Sequence, residues 1–319
     1  MTTLDGQTTR LDPTAHARVR GQGRRGALQR SNVTGWLMIA PMVILLAIFV
    51  IYPLFYSFYL STFELSFYLE PKFVGLDFYG YVLDSPRFWN SLWVGLRLAI
   101  FVVPLSMLIA FLLASFIKAA GGRLAAALKT TIYIPTVISA VVASVVFVFM
   151  YRAQGGLING LLAMIGVGPF AFLSDVDLVL PAMAVPAIWL GIGISTLIML
   201  AGMLDIPEEY YEAASIDGAT FNQKTRYITL PLLKNVLLFL FVTGAIAAIQ
   251  QFELPLVMTN GGPVDASMTP NLYIFDQFRD PTPFARSFSL TASLVLFVVL
   301  GTITALIFRL VRSDKAVDG

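Results

Sequence analysis

The 319-residue chain contains no cysteine, and its one histidine, His16, lies in a polar N-terminal segment. The lack of cysteine excludes disulfides, thiolate metal sites and cysteine nucleophiles, and a single histidine excludes histidine-based metal or triad chemistry. Lysine never follows glycine, so the phosphate-binding loop G-x-x-x-x-G-K-[ST] is absent as well. We therefore expect no cofactor in this chain, and any ATP that drives its function must be bound by another chain.

Charged residues are also scarce. They make up 13% of the sequence against 57% hydrophobic residues, and 21 basic and 19 acidic residues give a formal charge of +2. A soluble domain carries about a quarter of its residues as charged side chains, so this supply cannot cover a protein of this size in water. The near balance of charge gives no indication of nucleic acid as a partner. The composition predicts an all-α integral membrane protein whose solvent is the lipid bilayer.

Six charge-free stretches are long enough to cross a bilayer, which requires about 20 helical residues. They are residues 36–59, 98–117, 130–151, 178–204, 235–252 and 287–308. These stretches contain no Asp, Glu, Lys, Arg or His, although ionisable groups inside the membrane usually mark proton relays and ion-coupled carriers. Their absence argues against proton coupling. Sodium coupling through the backbone carbonyls of broken helices stays open as an alternative.

The distribution of lysine and arginine predicts the orientation. Six precede the first span, and three each lie between spans two and three, between spans four and five, and after span six, so fifteen of 21 share one side. Because cytoplasmic loops are enriched in these residues, both termini are expected in the cytoplasm. The predicted organisation is a mobile cytoplasmic tail (1–30), a six-helix transmembrane domain (31–312) and a second cytoplasmic tail (313–319).

The loop of residues 205–234, here called the coupling loop, predicts a short helix. Asp205 and Glu208 fit the pattern of a capping box, and Gly218 can supply the left-handed stop at the other end. Ala213 and Ala214 keep one side of this helix thin, so that it could fit into a cleft of another protein. The alternative from the residues alone is an ordinary surface helix that packs on its own bundle.

The spacing in this loop resembles the signature of the permease subunits of binding-protein-dependent ABC importers. The signature E-A-A-x-x-x-G, nine further residues and I-x-L-P is matched by Glu212, Ala213, Ala214, Gly218, Ile228, Leu230 and Pro231. The fuller run Glu-Ala-Ala-Ser-Ile-Asp-Gly-Ala-Thr is similar to the carbohydrate-uptake branch, the class of the maltose and glycerol-phosphate importers. Matches at residues 73–77 and 259–263 extend the resemblance to roughly residues 33–310.

The resemblance implies the type I ABC importer permease fold and a place in the bacterial or archaeal cell (inner) membrane. The six helices would form half of a pathway for a sugar or polyol. The implied partners are a second permease, two copies of a cytoplasmic ATPase and an external solute-binding protein, so this chain is not itself an enzyme. The family's coupling helix inserts into a groove of the ATPase; the corresponding residues here are Glu212, Ala213, Ala214, Asp217 and Gly218, with Leu230 and Pro231 closing the motif.

Two further sets of residues are candidates for contact with solute or partner. Amides suit sugar hydroxyls and aromatic faces suit sugar rings, which selects Trp189, Gln250, Gln251 and Phe252 as candidates for the substrate pathway. The NGGP turn, Asn260–Gly261–Gly262–Pro263, predicts a plain turn. By the resemblance it faces the binding protein as a docking or gating element. Two other functions stay open: a self-contained secondary carrier, and a membrane scaffold whose loop anchors a soluble partner.

The predicted orientation can be tested by cysteine labelling, because the native chain gives no background. An impermeant thiol reagent applied to intact cells should not label Ala120→Cys or Asn222→Cys, since both positions are expected in the cytoplasm. Permeabilised cells should show labelling at both. Lys72→Cys, expected outside, is the control and should be labelled in intact cells. Labelling of either inner position without permeabilisation would overturn the orientation.

Overall fold

A computed structural model describes residues 36–66 and 70–312, so the predicted tails 1–30 and 313–319 lie outside the described residues. The chain divides into two compact units, Met1–Leu60 and Ser61–Gly319. The described part of the first unit is one helix, α1 (Trp36–Leu60), with a π-helical turn at Ala47–Ile51. In the second unit, β1 (Phe63–Glu64) and β2 (Lys72–Phe73) form a short antiparallel ladder in which Phe63 pairs with Phe73.

The rest of the second unit is helical. Its helices are α2 (Asp77–Leu83), α3 (Pro86–Ala120), α4 (Gly122–Val137), α5 (Ala140–Met150), α6 (Leu157–Met164), α7 (Val179–Leu204), α8 (Glu208–Ile216), α9 (Phe221–Lys224), α10 (Leu230–Leu232), α11 (Lys234–Ile249), α12 (Glu253–Met258), α13 (Pro270–Arg279) and α14 (Ala285–Arg312). A π-helical turn, Thr225–Thr229, joins α9 to α10. All-α membrane architecture is what the composition predicted.

Five segments of the described chain are long and apolar enough to span a membrane. They are α1, α3, α7, the α11–α12 pair and α14 up to Ile307. A sixth is added when α4 and α5 are taken together as one span. Helix α3 reaches well beyond the predicted stretch 98–117, because Ser85 caps its start through a hydrogen bond from the Phe88 amide at 3.3 Å and Pro86 suits its first turn.

The predicted third span, residues 130–151, is not one straight helix. Helices α4 and α5 meet at an angle of 92°, with Ile138 and Ser139 in extended conformations between them. Three consecutive β-branched residues, 136–138, lower the helix propensity here, and Ser139 stands at the position before α5 where serine is favoured. The absence of charge that marks a membrane segment does not reveal such a break.

Close backbone approaches hold the second unit together at three glycines. A Cβ added to Gly193 of α7 would lie 2.7 Å from the Ile132 carbonyl oxygen of α4. At Gly95 of α3 it would lie 2.9 Å from the Ile249 carbonyl oxygen. At Gly202 it would lie 2.8 Å from Leu233 and Val236 side chains. Small residues let membrane helices approach closely where lipid gives no hydrophobic driving force for their association.

This packing yields a matched pair of substitutions on α7. Gly193→Ala should destabilise the protein by about 1–3 kcal/mol, because the new methyl group meets backbone that cannot move aside. Gly191→Ala, two residues earlier, meets nothing within 4 Å and should leave stability unchanged. The thermal midpoint of the purified protein in detergent measures both. Equal midpoints for the two variants would contradict the close α4–α7 contact.

Candidate coupling loop, cavity and NGGP turn

The coupling loop begins differently from the prediction. Asp205 does not cap the new helix; it ends α7, with its amide donating to the Ala201 carbonyl at 3.1 Å. Helix α8 starts after Pro207, which has no side-chain cap to offer. The proposed Asp205–Glu208 capping box is therefore wrong, because Asp205 closes α7 and Pro207 stands at the start of α8 instead. A capping box does occur in this loop at α9, between Thr220 and Gln223.

The predicted stop at Gly218 is confirmed. Its φ is +73°, in the left-handed region, and a pair of backbone hydrogen bonds closes the end of α8. The Ala219 amide donates to the Ala214 carbonyl at 2.8 Å, and the Gly218 amide donates to the Ser215 carbonyl at 3.1 Å. This is the Schellman arrangement. A Cβ at Gly218 would meet nothing within 4 Å, so the backbone angle alone favours glycine here.

The coupling loop exposes its signature residues. No residue of α8 is buried, and Glu212, Ala213, Asp217 and Gly218 are all exposed, with Ala214 half-buried. Leu230 and Pro231 are exposed as well. Large apolar side chains accompany them, including Ile216 at 87% and Phe221 at 70% exposure. Within the described residues no ion pair joins Glu212 to Arg226, whose guanidinium instead lies 5.8 Å from the Tyr227 ring centroid.

Internal contacts fix the fold of this loop. The Tyr211 hydroxyl lies 3.0 Å from the Thr229 hydroxyl, which joins α8 to the π-helical turn. The Lys224 ammonium donates to the Ser215 hydroxyl at 2.6 Å, which joins α9 back to α8. The exposed signature residues therefore lie on a loop whose conformation is fixed by hydrogen bonds.

A cavity of about 520 Å³ lies between α3, α7 and α11. Its lining is mostly apolar, and no described lining residue is charged. The polar groups that reach it are Ser106, Ser195, Thr243 and Gln251. Ser106 was not singled out from the sequence; Pro104, two residues before it inside a membrane helix, is the signal that could have indicated it.

The structure places only one of the four predicted pathway residues on this cavity. Gln251 lines it. Trp189 packs edge-on against Phe147, with 5.9 Å between ring centroids, and Phe252 packs on Phe275 at 5.0 Å. Gln250 ends α11, where its carbonyl accepts a hydrogen bond from the Asn271 amide at 2.8 Å. The assignment of solute contacts to these residues stays a prediction.

The NGGP turn forms as expected and extends two residues further. Asn260 and Gly261 have positive φ values of 50° and 86°, and Val264 and Asp265 follow with 47° and 59°. Positive φ is a genuine outlier for a β-branched residue such as Val264, whose side chain is 92% exposed. Sequence reasoning missed both residues, because valine disfavours the left-handed region and aspartate adopts it only occasionally.

An ion pair braces this turn from α3. Arg87 donates from Nε and Nη2 to the two carboxylate oxygens of Asp265, at 2.8 and 3.0 Å, and its Nη1 lies 3.6 Å from Asp276. The guanidinium also lies 5.7 Å from the Tyr273 ring centroid. Burial raises the pKa of the Tyr273 hydroxyl, so this group is neutral beside the pair. Two-pronged guanidinium–carboxylate pairing fixes geometry as well as charge.

Comparison with known families decides among the functions left open by the sequence. Residues 103–316 match the family described as binding-protein-dependent transport system inner membrane component. The chain belongs to this permease family. The match includes the second half of α3, all of α7 and α11, the coupling loop and the NGGP turn. The protein is therefore a multi-pass inner membrane transport subunit, and it is not an enzyme.

Named relatives of the permease lie in sugar transport systems. The chain is 32% identical over 255 residues to the trehalose/maltose transport system permease protein MalF of Thermococcus litoralis, which covers 78% of this chain and 85% of that protein. It is 30% identical over 296 residues to the lactose transport system permease protein LacF of Rhizobium radiobacter, covering 91% and 98%.

Among solved structures, the permease is similar to a bacterial ABC transporter involved in the import of the acidic polysaccharide alginate. The TM-score is 0.75 at 22% identity, over 92% of this chain and 100% of that chain. The same transporter in complex with its alginate pentasaccharide-bound periplasmic protein gives a TM-score of 0.74 at 22% identity, over 90% and 97%. At this identity the likeness shows the fold, and the predicted type I importer permease fold is confirmed.

Proposed function

We propose that this permease forms half of the translocation pathway of an ATP-driven importer for a neutral sugar or related polyol. Its partners are a second permease, two copies of a cytoplasmic ATPase and an external solute-binding protein. The observation that carries the proposal is the coupling loop, in which a short helix ends sharply at Gly218 and exposes the family signature.

The chemistry of the loop supports docking onto an ATPase. Exposed apolar side chains such as Ile216 and Phe221 on a structured surface element favour burial against a partner. The thin side formed by Ala213 and Ala214 permits close approach, and Glu212 and Asp217 supply charge for a basic groove. Closure of the ATPase around α8 would then displace the helices connected to the loop, α7 and α11.

The cavity supports a neutral solute. Three hydroxyls and one amide reach it. The Ser106 and Thr243 hydroxyls donate to the Val103 and Phe239 carbonyls at 2.9 and 2.7 Å, so towards a sugar hydroxyl their oxygens act as acceptors, whereas the Gln251 amide can both donate and accept. Its volume lies in the range of small-molecule sites. The uncharged lining suits the neutral disaccharides named for the two relatives better than an acidic polysaccharide such as alginate.

The NGGP turn suits a role on the opposite side of the membrane. One span, α11–α12, separates it from the coupling loop, so the two elements lie at opposite ends of that span. With both termini in the cytoplasm, the turn faces outside, where the exposed Val264 is available to the solute-binding protein.

Reconstitution separates this function from a self-contained carrier. Purified alone in liposomes, the permease should neither hydrolyse ATP nor accumulate sugar, because the sequence lacks a phosphate-binding loop and its predicted spans lack ionisable groups. Uptake of radiolabelled maltose, trehalose and lactose under sodium and proton gradients measures this. Uphill uptake driven by an ion gradient without other subunits would establish the carrier instead.

Substitution at Gly218 tests the docking role. Gly218→Asp places a β-carbon at a left-handed position, which costs about 1–2 kcal/mol, and a negative charge at the negative end of the helix dipole. The variant should insert at normal levels, yet lose at least tenfold in co-purified ATPase and in binding-protein-stimulated ATP hydrolysis.

Gly218→Asn is the matched control, because asparagine has the same size as aspartate and shares the cost of a β-carbon at this left-handed position, but carries no charge. We expect it to retain both activities within about threefold. If Gly218→Asp also stays within twofold of wild type, the loop is an ordinary surface helix, or a membrane scaffold's anchor, and the coupling proposal fails.

A further inference from the structure

Helix α3 carries a basic side chain near each end that holds a segment from a different part of the chain. It has 35 residues and is therefore about 50 Å long. Lys118 lies in its last turn and Arg87 in its first, and both contact elements more than 80 residues away in sequence. The coupling loop lies at the Lys118 end, and the NGGP turn lies at the Arg87 end.

At the C-terminal end of α3, the Lys118 side chain contacts both α7 and α8. Its ammonium donates to the Met203 carbonyl at 3.3 Å, in the last turn of α7, and lies 4.4 Å from the centroid of the Tyr211 ring in α8. A third contact, 3.6 Å to the Glu208 carboxylate, involves a side chain that is 67% exposed and contributes little in water. The Lys118 side chain is itself only 27% exposed, so the ring and the carbonyl dominate its surroundings.

Tyr211 carries this contact into the rest of the coupling loop. Its hydroxyl meets Thr229 at 3.0 Å, and Thr229 is buried next to α10. Lys118 therefore connects α3 to the coupling loop through Tyr211, whose ring faces the ammonium and whose hydroxyl contacts Thr229. A lysine that served only to set the membrane orientation of the chain would need none of these contacts.

At the opposite end, Arg87 holds the backbone conformation beyond the NGGP turn. Asp265, its two-pronged partner, has φ of 59° and follows Val264 at 47°. Two such residues in sequence store strain that surrounding contacts must maintain. Asn90, one turn further along α3, adds a hydrogen bond from its amide to the Asp265 carbonyl at 3.5 Å.

Between its ends, α3 packs against other helices on one side and borders the cavity with part of another. Its buried residues recur along most of its length, and Gly95 touches the backbone of α11. Residues Leu98, Ala110, Ala114 and Ile117 are buried at 0–2% exposure. Pro104 lies within α3 and removes one of its backbone hydrogen bonds. The buried contacts on both sides of Pro104 are therefore what would carry a displacement along the helix, because dense packing transmits strain.

We propose that Lys118 and Arg87 are positioning residues that make α3 a strut between the coupling loop and the NGGP turn. A displacement of α8 by the ATPase moves α3 through Lys118, and Arg87 transfers that movement to Val264 and Asp265 on the other side of the membrane. This proposal rests on the proposed function of the coupling loop.

The absence of cysteine makes a direct test possible. Val264→Cys, at a 92% exposed position, is labelled with an environment-sensitive fluorophore in the complete transporter, reconstituted in nanodiscs with its second permease and ATPase. A non-hydrolysable ATP analogue is then added. We expect a fluorescence change in the otherwise wild-type chain, and a change at least threefold smaller when Lys118→Met or Arg87→Met is also present, with co-purified ATPase within twofold in every case.

Three variants sharpen this test. Arg123→Met removes an exposed cation near the same end of the bundle for which the structure shows no such contacts, and should leave the signal unchanged. Lys118→Arg keeps a cation for the Tyr211 ring and should retain most of the signal. Tyr211→Phe keeps the ring but removes the hydroxyl contact with Thr229, so it should reduce the signal only partly.

The outcomes distinguish the two proposals. If the wild-type chain does not co-purify an ATPase, the proposed function fails. If the ATPase is present but Lys118→Met gives a signal within 1.5-fold of Arg123→Met, or the wild-type turn gives no signal, the strut is wrong and the function stands. Loss of the ATPase from Lys118→Met would show that Lys118 serves docking itself, which also overturns the strut.

Discussion

Helix association inside lipid depends on packing, because hydrocarbon tails surround apolar side chains as favourably as a protein core does. Helices α3, α4, α7 and α11 meet this constraint through glycines at which no side chain fits. The cavity exists because these close contacts hold the helices in place around a space that they do not fill. Two of the hydroxyls that reach it, those of Ser106 and Thr243, donate to backbone carbonyls of their own helices and present their oxygens as acceptors.

Two cations near the ends of α3, the half-buried Lys118 and the exposed Arg87, contact other elements of the chain. Between them they bind a carbonyl, an aromatic ring and carboxylates. The coupling loop shows the complementary case, with exposed charges and apolar side chains on a helix that has no buried residue. These features support the proposed docking of the coupling loop onto a partner.

Features set by residues close together in the sequence could be predicted from it, whereas contacts between distant residues could not. Apolar runs set the spans, and the Gly218 stop and the NGGP turn follow from local rules about left-handed backbone. The bend at Ile138–Ser139 follows a run of β-branched residues, which a search for charge-free stretches does not register. The start of α8 at Pro207, with Asp205 closing α7, was not predicted by the capping pattern. No local sequence pattern indicates that Trp189 packs on Phe147 or that Phe252 packs on Phe275. None indicates that Arg87 pairs with Asp265, which is 178 positions away.

The uncharged lining of the cavity has an electrical consequence. Moving one elementary charge across a membrane potential of 100 mV involves about 2.3 kcal/mol of work. Ion-driven carriers use this work to drive transport. A neutral solute surrounded by hydroxyls and an amide crosses without performing this work. On the proposed function, the transport free energy of such a solute is independent of voltage, so a cell that keeps its ATP would retain uptake after its membrane potential has collapsed.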